Sequence, residues 1–101
     1  MESILEEAQR LTSTDRTHDY GHPLDDWSRT MGMFNELFAH KLKEPFTPED
    51  GCLFMVLVKL SRQVNHPKRD NLVDGSGYMR LVDMIEAERA RRQTPSSSSR
   101  H

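Results

Sequence analysis

The sequence predicts an all-α fold, a small bundle of about four helices, and three observations predict it. Apolar residues recur three or four positions apart in four separate segments, the period of one helix face. Helix-start chemistry stands in front of three of them, at Ser3, at Pro23 and at Thr47-Pro48. The third start opens onto a nearly all-apolar run, Cys52 to Leu60, long enough to be a helix with helices around it.

Each element has its own local reason. Ser3 with Glu6 three residues later fits a capping box, and Ile4, Leu5, Ala8 and Leu11 form one stripe behind it. Thr12 to His22, rich in Thr, Asp and His, reads as a loop. Pro23 suits the first position of a second helix, along which Trp27, Met31, Phe34, Phe38 and Leu42 step at helical spacing. Lys43 to Phe46 connects it to Thr47-Pro48-Glu49-Asp50, where a capping hydroxyl precedes Pro and two acids that face the helix dipole. The third helix runs to about Val64. A β-strand is the rival reading for Leu53–Leu60, but the cap and the length of the run favour helix. His66-Pro67 ends it, and Asp70 is the expected cap of a fourth helix carrying Tyr78, Leu81, Val82 and Ile85 on one face and continuing to Arg92. In so short a chain some stripes are expected to be buried only in a homo-oligomer.

Length and composition bound the rest. The 101 residues make one helical domain, residues 1–93, followed by a Ser-rich tail, 94–101, expected to be disordered. At 35% apolar and 30% charged residues, the chain needs well-patterned apolar positions if it is to have a core. A formal charge of −2 argues against a nucleic-acid coat or a membrane-surface binder, each of which needs a large basic excess. Arg89, Arg91, Arg92 and Arg100 bias one end towards basic, as suits the C-terminus of a helix. The single cysteine, Cys52, excludes a disulfide scaffold and a cysteine-based zinc site, and its apolar surroundings read as a buried, inert thiol. The longest apolar run is far too short to span a membrane, and Glu2, Glu6 and Glu7 do not suit a signal peptide, so a cytoplasmic protein is expected.

Two constellations could carry chemistry. Asp74 precedes Tyr78, Leu81 and Ile85 by four, seven and eleven residues, which puts a carboxylate on the core-facing stripe, with Asn71 about one turn earlier. Lys59 lies inside the most apolar helix and Arg62 three residues on. The two helices are expected to be antiparallel neighbours, so Lys59 or Arg62 could meet Asp74 or Asp70. One reading is an ion pair that fixes helix register. The other has Lys59 and Arg62 binding phosphate oxygens, with Asp70 and Asp74 holding a divalent cation or a ribose hydroxyl. The second constellation is His18-Asp19-Tyr20-Gly21-His22: Gly21 permits unusual backbone angles, Tyr20 can stack on a base, and Asp19 can accept hydrogen bonds or ligate metal. A local turn and helix cap with no ligand is the alternative. The helical two-histidine zinc motif does not apply, because this stretch is not a helix interior and lacks the glutamate.

Taken together, Arg16, Asp19-Tyr20-Gly21, Pro23, Pro48-x-Asp50, Lys59-Leu60-x-Arg62 and Asp70-Asn71-x-x-Asp74-x-x-Gly77-Tyr78 resemble a family of small phage and prophage proteins of unassigned function. The pattern is also similar to the nucleotide-modification-associated domains of phages and, more loosely, to the all-α MazG-like nucleotide pyrophosphohydrolases. The last resemblance implies an oligomeric helical bundle that hydrolyses (deoxy)nucleoside triphosphates to the monophosphate and pyrophosphate with Mg2+. Carried onto this sequence, Asp70 and Asp74 would hold the metal with Asp19 as a third ligand. Lys59 and Arg62 would bind phosphate, with Asn71 beside them, and Tyr20 or Tyr78 would border the base. The MazG-like acidic quartet itself is not reproduced, since Arg10 follows Glu6-Glu7 and Arg89 stands three residues after Glu86. A non-catalytic nucleotide-binding module, which sequesters a signalling nucleotide or assists nucleotide modification, is the alternative expectation.

Overall fold

A computed structural model describes residues 1–94, and every regular element among them is helical. The order is α1 (Ile4–Arg10), a π-helical turn (Leu11–Asp15), α2 (Arg16–Tyr20), α3 (Pro23–Leu37), a 3₁₀ turn (Ala39–Lys41), α4 (Pro48–Asn65) and α5 (Arg69–Gln93). Four of these, α1, α3, α4 and α5, make up the expected bundle. Beyond Thr94, the tail expected to be disordered lies outside the described residues. None of the described helices is long and apolar enough to cross a membrane.

The helix starts follow from local chemistry. Ser3 Oγ accepts from the Glu6 amide at 3.0 Å while Glu6 accepts from the Ser3 amide at 2.8 Å, and Thr47 and Asp50 repeat that reciprocal pair at 3.1 and 2.9 Å. Gly21 reverses the chain at φ +79°, a region open to glycine, and His22 then caps α3 with its Nδ1 accepting from the Leu24 amide at 3.0 Å. The cap expected of Asp70 is not made. Lys68 occupies that position without a side-chain bond, and Asp70 sits in the first turn, where its charge still faces the dipole. The α4–α5 turn is tied instead by Gln63, whose Oε1 accepts from the Lys68 amide at 3.0 Å and from Asn71 Nδ2 at 3.2 Å.

Two boundaries differ from the sequence expectation. Thr12 to Tyr20 is wound into the π turn and α2, where a loop is expected. Thr12 is buried there, its hydroxyl donating to the Ala8 carbonyl at 2.7 Å, so packing overrides poor helix propensity. And α3 stops at Leu37, which leaves Phe38 and Leu42 outside it. Chain reversal brings Phe46 back onto Phe34, with ring centroids 5.1 Å apart and Phe38 on Phe34 at 4.9 Å. Asn35 fastens the return, donating to the Phe46 carbonyl at 2.9 Å and accepting from its amide at 2.8 Å.

The centre of the molecule is α5, which packs on α4, α1, α3 and the π turn. Its buried line is Val73, Gly77, Leu81 and Ile85, which meets Leu24 and Cys52, with Trp27, Tyr78, Val82 and Met84 around them. Cys52 is fully buried, in keeping with an inert thiol. Gly51 lets α3 press onto α4, because a Cβ there would lie 2.7 Å from Trp27 Cε3. Helix α4 is not surrounded: it has α5 along its length and α3 near its start, and Leu53, Phe54, Leu57, Leu60 and Val64 remain exposed.

Candidate functional site

A cleft of about 390 Å3 lies between α1, the π turn, the end of α2 and the first half of α5. That is within the size range of small-molecule sites. Its apolar lining is Ala8, Leu11, Val73 and Leu81, and its polar groups are Thr12, Asp19, Asp74 and the two tyrosines, Tyr20 and Tyr78. Helix α5 delivers Asp74 and Tyr78 one turn apart, with Gly77 between them. The π turn packs closely on α5 at Gly77, where a Cβ would lie in van der Waals contact with Thr12 Cγ2 at 3.4 Å. Asp19 and Tyr20 arrive from the other side, from the last turn of α2 just before Gly21. A π-helical turn is uncommon and often marks a functional site, and here it forms one wall.

Asp74 does not face the core, although its spacing predicts that it does. Its side chain is 41% exposed at the cleft edge, because the buried line of α5 runs through Val73 and Gly77 instead. Its partner is Lys59, whose Nζ lies 3.1 Å from Asp74 Oδ2 and whose own side chain is only 16% exposed. Of the four expected cross-helix pairings, this is the one the fold makes. Arg62 is exposed on α4 and does not line the cleft, and neither does Asp70. Asn71 is committed to Gln63 in the α4–α5 turn and also stands outside the lining. Thus Asp19, Tyr20, Asp74 and Tyr78 come together, Lys59 reaches Asp74 from a separate α4–α5 groove that Asn71 also lines, and Arg62 and Asp70 lie apart. Ala8, Leu11 and Thr12 were not legible as site residues, because Ala8 and Leu11 fit the core stripe of the first helix and Thr12 the start of a loop.

Among the described residues no three His, Cys, Asp or Glu side chains come close enough to hold a metal ion by themselves. Asp19 and Asp74 are the two carboxylates that line the cleft. That suits Mg2+, which commonly takes one or two carboxylates together with substrate phosphates, better than an ion needing an all-protein cage. Trp27 touches the back of the site, edge to face with Tyr78 at 6.2 Å. Its buried indole N–H has no hydrogen-bond partner among the described residues.

The strongly perturbed carboxylates lie elsewhere, and they are structural. Near the C-terminal end of α5, Arg91 and Arg92 hold the Glu88 carboxyl at about 2. Arg92 also spans to Asp25 on α3, at 2.8 and 3.0 Å, and lowers its pKa. Arg89 does the same for Glu49 at the start of α4. His22 makes the helix cap that the turn-and-cap alternative expects, while Asp19 and Tyr20 of the same motif line the cleft.

Comparison with known proteins places the chain in a family. A family model described as a domain of unknown function, DUF6378, matches residues 3–86. The chain belongs to this family. Every cleft residue falls within the matched DUF6378 region, whereas the Glu88–Arg92 clamp lies beyond it. The chain is 35% identical over 88 residues to the Gene 55 protein of Mycobacterium phage D29, covering 86% of this chain and 56% of that protein. It is 31% identical over 85 residues to the Gene 55 protein of Mycobacterium phage L5, covering 83% and 53%. It therefore spans about half the length of these phage relatives. No solved structure matches it.

Proposed function

We propose that the cleft binds a nucleotide. The observation that carries this reading is the convergence on one cleft of Asp19-Tyr20 and Asp74…Tyr78, which stand more than 50 positions apart in the sequence. Two aromatic rings beside an apolar lining suit a base, and carboxylates accept from ribose hydroxyls or exocyclic amines. Lys59 lies outside the cleft lining and would reach a phosphate only at the cleft edge where its ammonium pairs with Asp74 at 3.1 Å.

Two outcomes of binding follow. The first is hydrolysis of a (deoxy)nucleoside triphosphate to the monophosphate and pyrophosphate, as the MazG-like resemblance implies. Mg2+ would then be held by Asp74 and Asp19, with Asp70 one turn away on α5, and would neutralise the phosphates. The second is retention without chemistry, as in a protein that sequesters a signalling nucleotide or assists nucleotide modification. The Lys59–Asp74 pair favours the second, because an ammonium at 3.1 Å competes with a metal ion for that carboxylate.

Product analysis separates them. The full chain is incubated with a panel of linear and cyclic nucleotides and Mg2+, and the products and any ligand released by denaturation are resolved. Pyrophosphate release that Asp74→Asn abolishes supports hydrolysis, and ligand recovered unchanged supports retention. If no nucleotide is turned over or recovered, the nucleotide reading falls.

A further inference from the structure

An apolar strip runs along the outer side of α4 and α5, on a different face from the cleft. On α4 it consists of Leu53, Leu57, Leu60 and Val64, spaced four, three and four, the period of a coiled-coil seam. None of them is covered: Leu57 is 61% and Val64 82% exposed. Leu72 and Met79, seven apart on α5, continue the strip and are also exposed. Between the helices Gly75 and Ser76 leave a shallow groove beside Leu60, Leu72 and Met79, edged by the polar side chains of Lys59, Gln63 and Asn71, where a side chain from outside can seat.

We infer that this strip is the interface of a homodimer in which α4 packs antiparallel against α4 of a second copy. Two quantities support a second copy as the occupant. The six side chains are each 43–82% exposed, and the largest apolar patch a monomer ordinarily leaves open is only ~300–600 Å2. A standard interface covers ~800 Å2 per partner, an apolar centre of this kind with a polar rim around it. Charge then fixes the direction. The outer line of α5 runs from Leu72 through Met79 to Asp83 and Glu86, both exposed acids, while Lys68 is exposed at the opposite end. A two-fold axis through the middle of the seam sets Lys68 of one copy towards Asp83 and Glu86 of the other, Leu57 against Leu60, and Leu53 against Val64. A parallel pair would align like charges instead.

Light scattering on the full chain over a wide concentration range, with and without Leu57→Glu, tests the interface. The expected result is a dimer for the native chain and a monomer for Leu57→Glu, with unchanged helical circular dichroism. A native chain that stays monomeric, or an assembly that Leu57→Glu leaves intact, overturns the proposal. Orientation is read by mixing Leu53→Cys and Val64→Cys chains and oxidising them. The antiparallel seam gives the mixed 53–64 crosslink, and a predominant 53–53 crosslink overturns it. Cys52 is fully buried, which keeps it out of the reaction.

Discussion

Lys59 Nζ lies 3.1 Å from Asp74 Oδ2, and the two side chains are unequally covered, at 16% and 41% exposure. That asymmetry decides which partner the fold can do without. Removing Asp74 leaves a mostly covered ammonium without its counter-ion, whereas removing Lys59 leaves a carboxylate that water can reach. Asp74→Ala is therefore expected to cost about 1–2 kcal/mol and Lys59→Met less than about 1 kcal/mol. Urea denaturation of both variants checks the order, and a larger loss in Lys59→Met contradicts it.

Two glycines in helix interiors should respond in opposite directions. Alanine has the higher helix propensity by about 1 kcal/mol. At Gly32, where an added Cβ meets nothing within 4 Å, Gly32→Ala should realise most of that gain. At Gly51 the Cβ would collide with Trp27 and Met31, and overpacking of this kind costs about 1–3 kcal/mol. Gly51→Ala is expected to be net destabilising and to alter the near-ultraviolet signal of Trp27, the only tryptophan. Denaturation midpoints that move the same way in both variants would contradict the packing described for α3 on α4.

The acid limb of the stability profile should belong to the arginine clamps. Glu88 is lowered from 4.5 to about 2 by Arg91 and Arg92, and Asp25 and Glu49 are lowered by Arg92 and Arg89. Groups depressed in the folded state contribute stability that is complete above their unfolded values and lost as pH falls through the folded ones. Melting temperature should therefore hold above about pH 5 and fall between roughly pH 4.5 and 2. Arg92→Gln should flatten that fall, and parallel pH profiles for the two chains would refute the assignment.

Asn35 should be worth more than an exposed amide. Its side chain satisfies both the N–H and the carbonyl of Phe46, and nothing in alanine replaces either bond. Asn35→Ala is expected to cost about 1–3 kcal/mol and to speed amide exchange around Phe46. Unchanged exchange there would show that the Phe34–Phe38–Phe46 cluster holds the connection alone.

What could be read from the sequence was what local chemistry determines. Ser3 with Glu6, Thr47 with Asp50, and Pro23 act within one turn, so the starts of α1, α3 and α4 were legible. That Lys59 or Arg62 could meet Asp74 or Asp70 was legible because a short turn makes α4 and α5 antiparallel neighbours, but which of the four pairings forms was not. The π turn was not, because Thr12 is helical only through its burial against α5. The end of α3 was hidden because Phe38 and Leu42 keep the helical period although aromatic packing pulls the chain away. The Arg92–Asp25 and Arg89–Glu49 pairs join residues 67 and 40 positions apart, a separation that no local pattern encodes. Hydrophobicity marked α4 as buried all round but could not say which of its faces lacks a partner within the chain.

The central claim is that Asp19-Tyr20 and Asp74…Tyr78 form one nucleotide site. Equilibrium dialysis of the full chain against nucleoside triphosphates with Mg2+ tests it most directly, with Asp19→Asn and Tyr20→Ala compared, since both side chains are exposed and can change without disturbing the core. The account predicts saturable binding to the native chain, weakened at least about tenfold, or 1.4 kcal/mol, in each variant. Binding that neither substitution weakens, or no binding of any nucleotide, would contradict it.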